Sequence, residues 1–245
     1  MVECLANELG ANIQHSNGAC FRNIKNLIPY IMRINYGDIL FIDEIHRLSR
    51  ICEEFLYIPM EDYFCVIGQD NDVLKLQIPK FTLIGATTNF GDISKPLKSR
   101  FKLQLSFMQY KEDDLAKLAR LNANRLKVDI DQDASESLGR RSRGTPRVLN
   151  RLLEWCRDYC LSTHQTKITT KLVCDSLNIL GIDENGFTKD DQNVIMILKR
   201  EKRPVPLRSL SAMTKIDENT LLNEVEPFLI GRGIITKTNK GRILC

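Results

Sequence analysis

The stretch Gly37–Arg50, GDILFIDEIHRLSR, decides the fold. At its centre, Ile39–Ile42 is an unbroken apolar run with turn residues before it. A run so short and so apolar reads as a strand covered on both faces, the pattern of a parallel sheet. It ends in two adjacent carboxylates, Asp43 and Glu44. Ligands of open α/β sheets bind at the carboxyl ends of the strands. There, one carboxylate can hold Mg²⁺ while the next polarises a water. The plainer reading is a helix N-terminus, whose dipole favours acids.

Phe81–Asn89, FTLIGATTN, repeats the buried-strand pattern and ends in Thr87 and Thr88. A polar side chain at a neighbouring strand end can sense a γ-phosphate, which favours a nucleotide site over a simple helix start. Around these two runs the signals alternate. Residues 3–10 read as an amphipathic helix with Leu5, Ala6 and Leu9 on one face and Gly10 as its stop. Ile24–Ile34 reads as a second helix, interrupted at Pro29, and residues 45–63 as a third. Residues 63–79 read as a hairpin around the polar turn Gly68–Asp72, and 102–107, KLQLSF, as a further strand. Strands alternating with helices indicate a parallel α/β sheet.

After Tyr110 the strand signals stop. Residues 111–126, 131–142, 145–163 and 169–181 read as four helices, with Pro146 in the first turn of the third and Thr169 or Thr170 capping the fourth. The polar, glycine-containing GIDENGFTKDD (181–191) reads as a linker. Three short helices follow, at about 188–201, 207–214 and 217–230, and then GIITKTNKGRILC alternates around a Lys-Gly turn. Three helices and a terminal hairpin outline a winged helix. The expected divisions are therefore 1–112, 113–184 and 185–245.

At 245 residues, 43% hydrophobic and 27% charged, the chain has ordinary globular composition. A net charge of +4 permits nucleic-acid binding without arguing for it. The eight cysteines, at 4, 20, 52, 65, 156, 160, 174 and 245, form no CxxC pair and read as reduced thiols of a cytoplasmic protein. No secretory pattern opens the chain, and no apolar run approaches the ~20 residues of a membrane span.

Other candidates stand beside plainer readings. Arg100 in SKPLKSRF fits an arginine finger acting on a neighbouring subunit's phosphate, or a solvated surface arginine. Arg140, Arg141, Arg143, Arg147 and Arg151 in RRSRGTPRVLNRL fit a phosphate-binding face or a solvated helix face. Cys156, Cys160 and His164 recur every four residues like a metal ladder, but no fourth ligand is evident and cysteine often packs as a small hydrophobe. His15 and His46 have no evident partner for catalysis. In the terminal hairpin, Lys237, Lys240 and Arg242 fit phosphate contacts to DNA, or an ordinary soluble tip.

Taken in order, GDILFIDEIHRL, MEDY, FTLIGATT, RRSRGTPR, NRLL and GRG before a basic hairpin resemble the RuvB family, AAA+ motors of Holliday-junction branch migration in recombination and repair. The resemblance covers essentially the whole chain. It implies an AAA+ core, a helical lid and a winged helix, with ATP and Mg²⁺ as cofactors, DNA and RuvA as partners, and a homo-oligomeric, hexameric ring. Position by position, it implies that Asp43 organises Mg²⁺, Glu44 activates the hydrolytic water and Thr88 is a sensor beside Thr87. Arg100 becomes the finger and Arg147 a second sensor. Glu61, Asp62, Tyr63 and Tyr110 line the nucleotide site, Lys237 and Arg242 contact DNA, and the hairpin at 63–78 docks RuvA. One departure is large. The family's phosphate-binding loop, GxxxxGK[ST], is absent, since none of the 13 glycines is followed by lysine. The strand that precedes that loop in the family is absent too, which leaves the sheet incomplete. This chain is therefore expected not to hydrolyse ATP. The alternatives are a non-catalytic DNA-binding remnant and a clamp-loader-like adaptor subunit, in which Arg100 could still serve a neighbour's site.

Overall fold

Ile39–Asp43 does form a strand, and it is the middle one of a three-stranded parallel sheet. The computed structural model describes residues 2–67 and 74–245, which fall into two units, Met1–Ser106 and Phe107–Cys245. In the first unit the order is α1 (Val2–Leu9), β1 (Ile13–Asn17), α2 (Ile24–Met32), β2 (Ile39–Asp43), α3 (Arg50–Asp62), β3 (Phe64–Ile67), β4 (Leu74–Gln77), β5 (Thr82–Gly85) and α4 (Lys95–Arg100). The sheet runs β1-β2-β5, with Asn17 opposite Asp43 and Leu40 opposite both Gln14 and Leu83. Leu40 and Ile42 are fully buried beneath Leu27, Ile31, Leu56 and Leu97, because helices cover the central strand.

Capping sets where the helices begin. Asn23, Ser49 and Ser94 each accept a hydrogen bond from a backbone N–H of the first turn of α2, α3 and α4. Pro29 and Pro59 lie inside α2 and α3 without ending them, so the interruption expected at Pro29 does not occur. A proline in a helix interior costs about 3 kcal/mol. Full burial of Leu27 and Ile31, on either side of Pro29, contributes about 1.5–3 kcal/mol each, and this outweighs the loss.

One strand escaped the sequence reading, and one strand reading needs correction. IQHSN, with one apolar residue, carries no strand signal, yet it forms the sheet edge β1 because β2 supplies a parallel ladder. Conversely, residues 102–107 form no strand. Leu103, Leu105 and Phe107 are 72%, 68% and 71% exposed. An alternating sequence becomes a strand only against a partner ladder, and among the described residues this segment has none. β3 and β4 pair antiparallel as expected, while the turn Gly68–Asp72 lies outside the described residues.

In the second unit come α5 (Glu112–Arg125), β6 (Asp129–Ile130), α6 (Gln132–Arg141), α7 (Pro146–Ser162), β7 (Lys167–Ile168) and α8 (Thr170–Ile179). Thr169, not Thr170, caps α8. The helices share a core of Leu115, Leu138, Leu149, Leu153 and Val173, with Trp155 donating its indole N–H to the Ser176 carbonyl at 2.9 Å. Then follow α9 (Lys189–Glu201), α10 (Leu207–Thr214), α11 (Glu218–Thr220), a π turn at Leu221–Val225, α12 (Glu226–Gly231), β8 (Ile235–Thr238) and β9 (Gly241–Leu244). Their core gathers Val194, Leu198, Leu210, Leu221 and Leu229. This is the three-helix and hairpin outline of a winged helix. Among the described residues, no helix is long and apolar enough to cross a membrane.

Candidate functional site

At the carboxyl end of β2 the chain turns sharply. Glu44 sits in the left-handed region (φ 47°, ψ 48°) at the start of a 3-10 turn, Ile45–Arg47. The Ile45 N–H donates to the Ala86 carbonyl at 2.9 Å, tying that turn to the continuation of β5. Gly18 lies against the same turn, and a Cβ there would run into the Glu44 carbonyl oxygen, so only glycine fits. The outcome is that side chains from two neighbouring strand ends converge. Thr88 Oγ1 donates to Glu44 Oε2 at 3.1 Å. Asp43 Oδ1 accepts the Glu44 backbone N–H at 3.0 Å, which leaves its second oxygen for another partner.

His46, read from sequence as having no partner, belongs to this cluster. Its Nδ1 lies 3.1 Å from Glu44 Oε2 and 2.9 Å from Thr87 Oγ1. Thr87 Oγ1 also accepts the Asn89 N–H at 3.0 Å. The signal was the spacing: two residues past Glu44 in a tight turn, a side chain can come back to the same carboxylate. His15 instead stacks on Phe41, with ring centroids 5.0 Å apart.

The fit to magnesium and nucleotide is partial. Among the described residues, no three His, Cys, Asp or Glu side chains gather as a metal site. Mg²⁺ characteristically takes one or two carboxylates and completes its shell with water and phosphate oxygens, a role Asp43 fits. What the 245 residues lack is the Gly-Lys loop whose backbone N–H groups and ammonium would hold those phosphates.

Arg100 forms a separate cluster. Its guanidinium lies 4.0 Å over the Tyr57 ring, its Nε is 3.3 Å from Glu61 Oε1, and its Nη1 donates to the Pro96 carbonyl at 2.9 Å. Tyr57 in turn donates to Glu53 at 3.0 Å, and burial pushes its phenol above the ordinary range. Asp62 is exposed, and Tyr63 closes α3 in the left-handed region with its ring edge-on to Phe81. Among the described residues, no hydrogen bond or ion pair links this group to Glu44 and Thr88.

In the second unit, the Tyr110 N–H donates to the Gly144 carbonyl at 2.9 Å, next to the turn from which exposed Arg147 projects. The arginine cluster divides. Arg140, Arg147 and Arg151 are exposed, whereas Arg141 is buried and Arg143 half-buried, both bonded within the unit. Cys156 and Cys160 are buried core residues, and burial pushes the Cys156 thiol up to about 11. The packing reading of these cysteines therefore holds over the metal ladder.

On the wing, Lys237 and Lys240 are exposed. Arg242 is not. It is 6% exposed, and its Nε and Nη2 donate to the Glu226 carboxylate at 2.5 and 3.1 Å. Every second residue of a strand faces the core, and in β9 that places Arg242 inward, against α12.

Family models for RuvB match all but two residues of the chain: the "Holliday junction DNA helicase RuvB P-loop domain" over residues 1–107, the "RuvB AAA lid domain" over 110–183 and the "RuvB C-terminal winged helix domain" over 184–245. The Holliday junction branch migration complex subunit RuvB of Campylobacter fetus is 39% identical over 248 residues, covering 100% of this chain and 72% of that protein. Its counterpart from Kosmotoga olearia is 38% identical, covering 99% and 73%. Among solved structures, the Thermotoga maritima RuvB Holliday junction branch migration motor superposes with a TM-score of 0.82 at 34% identity, covering 98% of this chain and 78% of that one. The convergence of Glu44 and Thr88, the lid and the winged helix thus have one common explanation: the chain belongs to the RuvB family.

Proposed function

We propose that this protein is a subunit of an ATP-driven motor for Holliday-junction branch migration. The observation that carries the reading is the Thr88–Glu44 hydrogen bond, which joins the acidic end of β2 to the polar end beyond β5. In this reading Glu44 orients the attacking water, and Thr88 reports the terminal phosphate to Glu44 through their shared bond. Asp43 holds the magnesium shell, and Mg²⁺ when bound neutralises phosphate charge. Arg147 senses the nucleotide from the lid, with Glu61, Asp62, Tyr63 and Tyr110 lining the site. Arg100 reaches the phosphates bound by a neighbouring subunit of a homo-oligomeric ring, after leaving Tyr57 and Glu61. The hairpin at 63–78 docks RuvA. Lys237 and Lys240 contact DNA phosphates, and Arg242 supports them by fixing the wing. The three regions 1–112, 113–184 and 185–245 serve as core, lid and DNA-binding head.

DNA binding needs no nucleotide, so the reading is tested by titrating the chain into a labelled four-way junction. Junction binding that weakens steeply with salt is expected; binding no tighter to a junction than to a short unrelated polyanion would contradict it.

A further inference from the structure

GIDENGFTKDD has the composition of a flexible linker, but two lid arginines hold it closed. Arg141 is buried and donates through Nε to the Asp183 carbonyl at 3.0 Å. Arg143 donates through Nε to the Gly186 carbonyl at 3.0 Å and through Nη2 to the Asp191 carboxylate. Its guanidinium also covers the Phe228 ring at 4.1 Å, on α12 of the winged helix. One side chain thus grips the connection, the first helix of the head and the last.

The burial and backbone geometry of the residues involved show what this grip holds in place. Asp191 is 0% exposed, and a buried carboxylate is tolerated only when paired and hydrogen-bonded. Arg143 is its charge partner. Thr188 completes the site as a capping box, donating its N–H and hydroxyl to Asp191 Oδ2 at 2.6 and 2.8 Å. Arg143 meanwhile holds a left-handed backbone (φ 53°), a strained state for a residue other than glycine. Gly186 (φ 82°) permits the close approach, since a Cβ there would lie 3.0 Å from the Arg141 backbone. Burial at Asp191 is sustained by Arg143 and Thr188 together, all three donors meeting its Oδ2.

We infer that Arg143 is a coupling residue that makes the lid and the winged helix a single moving body. Arg143 immediately precedes the Gly144-Thr145-Pro146-Arg147 turn, so a displacement imposed at Arg147 is carried through the clasp to Phe228 and the wing. What is transmitted rests on the proposed function; the clasp itself requires neither nucleotide nor DNA.

The test uses the full chain without ligands. Glu184 is exposed in the clasped segment, so Glu-specific protease reports its opening. Arg143→Lys keeps the charge but cannot span Gly186, Asp191 and the Phe228 ring together. It is expected to speed cleavage after Glu184 by about tenfold, a local opening, as is Phe228→Leu to a smaller degree. In ¹⁵N relaxation, residues 189–245 should tumble with 112–180 in the parent chain and faster in Arg143→Lys. Unchanged emission from Trp155, the single tryptophan, verifies that the lid remains folded. Unaltered cleavage and tumbling in both variants with the lid folded would overturn the inference. Absence of junction binding by the parent chain would instead overturn the functional reading and leave the clasp standing.

Discussion

Arg242 and Glu226 form a two-point ion pair beneath the wing, with Nε to Oε1 at 2.5 Å and Nη2 to Oε2 at 3.1 Å, both side chains under 10% exposed. A pair so buried does its work on position. It fixes β9 against α12, and the Val205 N–H, which donates to the Arg242 carbonyl at 2.8 Å, ties the same strand to the segment before α10.

Arg242→Ala should lower stability by about 3–5 kcal/mol, because it strands the Glu226 charge in the interior. Replacing both partners, as Arg242→Met with Glu226→Leu, should restore stability to near the parent value. Urea unfolding measures both. A single variant as stable as the parent would show that the pair is solvated.

Lys237→Ala and Lys240→Ala should each weaken junction binding uniformly across DNA sequences and reduce the slope of log K against log salt by about 1. Neither should alter the unfolding curve, since both side chains are exposed. Fluorescence anisotropy across a salt series provides the slopes. An unchanged slope would remove these lysines from the interface.

Thiol labelling separates the cysteines by burial. Cys4, Cys20 and Cys245 are exposed and should alkylate readily at pH 8. Cys52, Cys65, Cys156 and Cys160 are buried. Burial raises the thiols of Cys65, Cys156 and Cys160, that of Cys156 to about 11, so the reactive thiolate is scarce at that pH. These four should label only in denaturant. Mass spectrometry of peptides after timed alkylation reads the order, and early labelling of Cys156 would contradict the lid core described above.

The exposed apolar side chains of residues 102–107 should make the chain self-associate. Leu103→Ser, Leu105→Ser and Phe107→Ser together are expected to lower the concentration-dependent rise in sedimentation coefficient without lowering the melting temperature, because all three are about 70% exposed. Loss of thermal stability would mean that these side chains pack in solution.

The sequence was most informative where burial and chemistry coincide. Ile39–Asp43 could be read because four apolar residues and two acids define both the strand and its functional end. The helices after Tyr110 could be read from their periodicity and caps. By contrast β1 was hidden because an edge strand of polar residues is specified by its neighbour, not by its own side chains. The same dependence misled in the other direction at 102–107, where a strand-like pattern has no ladder to join. His46, Arg143 and Arg242 were misjudged for one reason. A polar residue looks solvated in a sequence, and its partner lies well away along the chain, 41 residues off for Thr87, 48 for Asp191 and 16 for Glu226.

The central claim is that Asp43, Glu44 and Thr88 form one half of a nucleotide site whose phosphate-holding half these 245 residues do not carry. Calorimetric titration of ATP with Mg²⁺ tests it directly, on the chain as it is and on a version extended at its N-terminus by the strand and GxxxxGK[ST] loop of a RuvB relative. The chain alone should bind with Kd weaker than about 1 mM, roughly −4 kcal/mol. The extended version should bind in a Mg²⁺-dependent manner that Asp43→Asn weakens. Micromolar, Mg²⁺-dependent binding by the 245-residue chain would contradict the account, as would failure of the extended protein to bind at all.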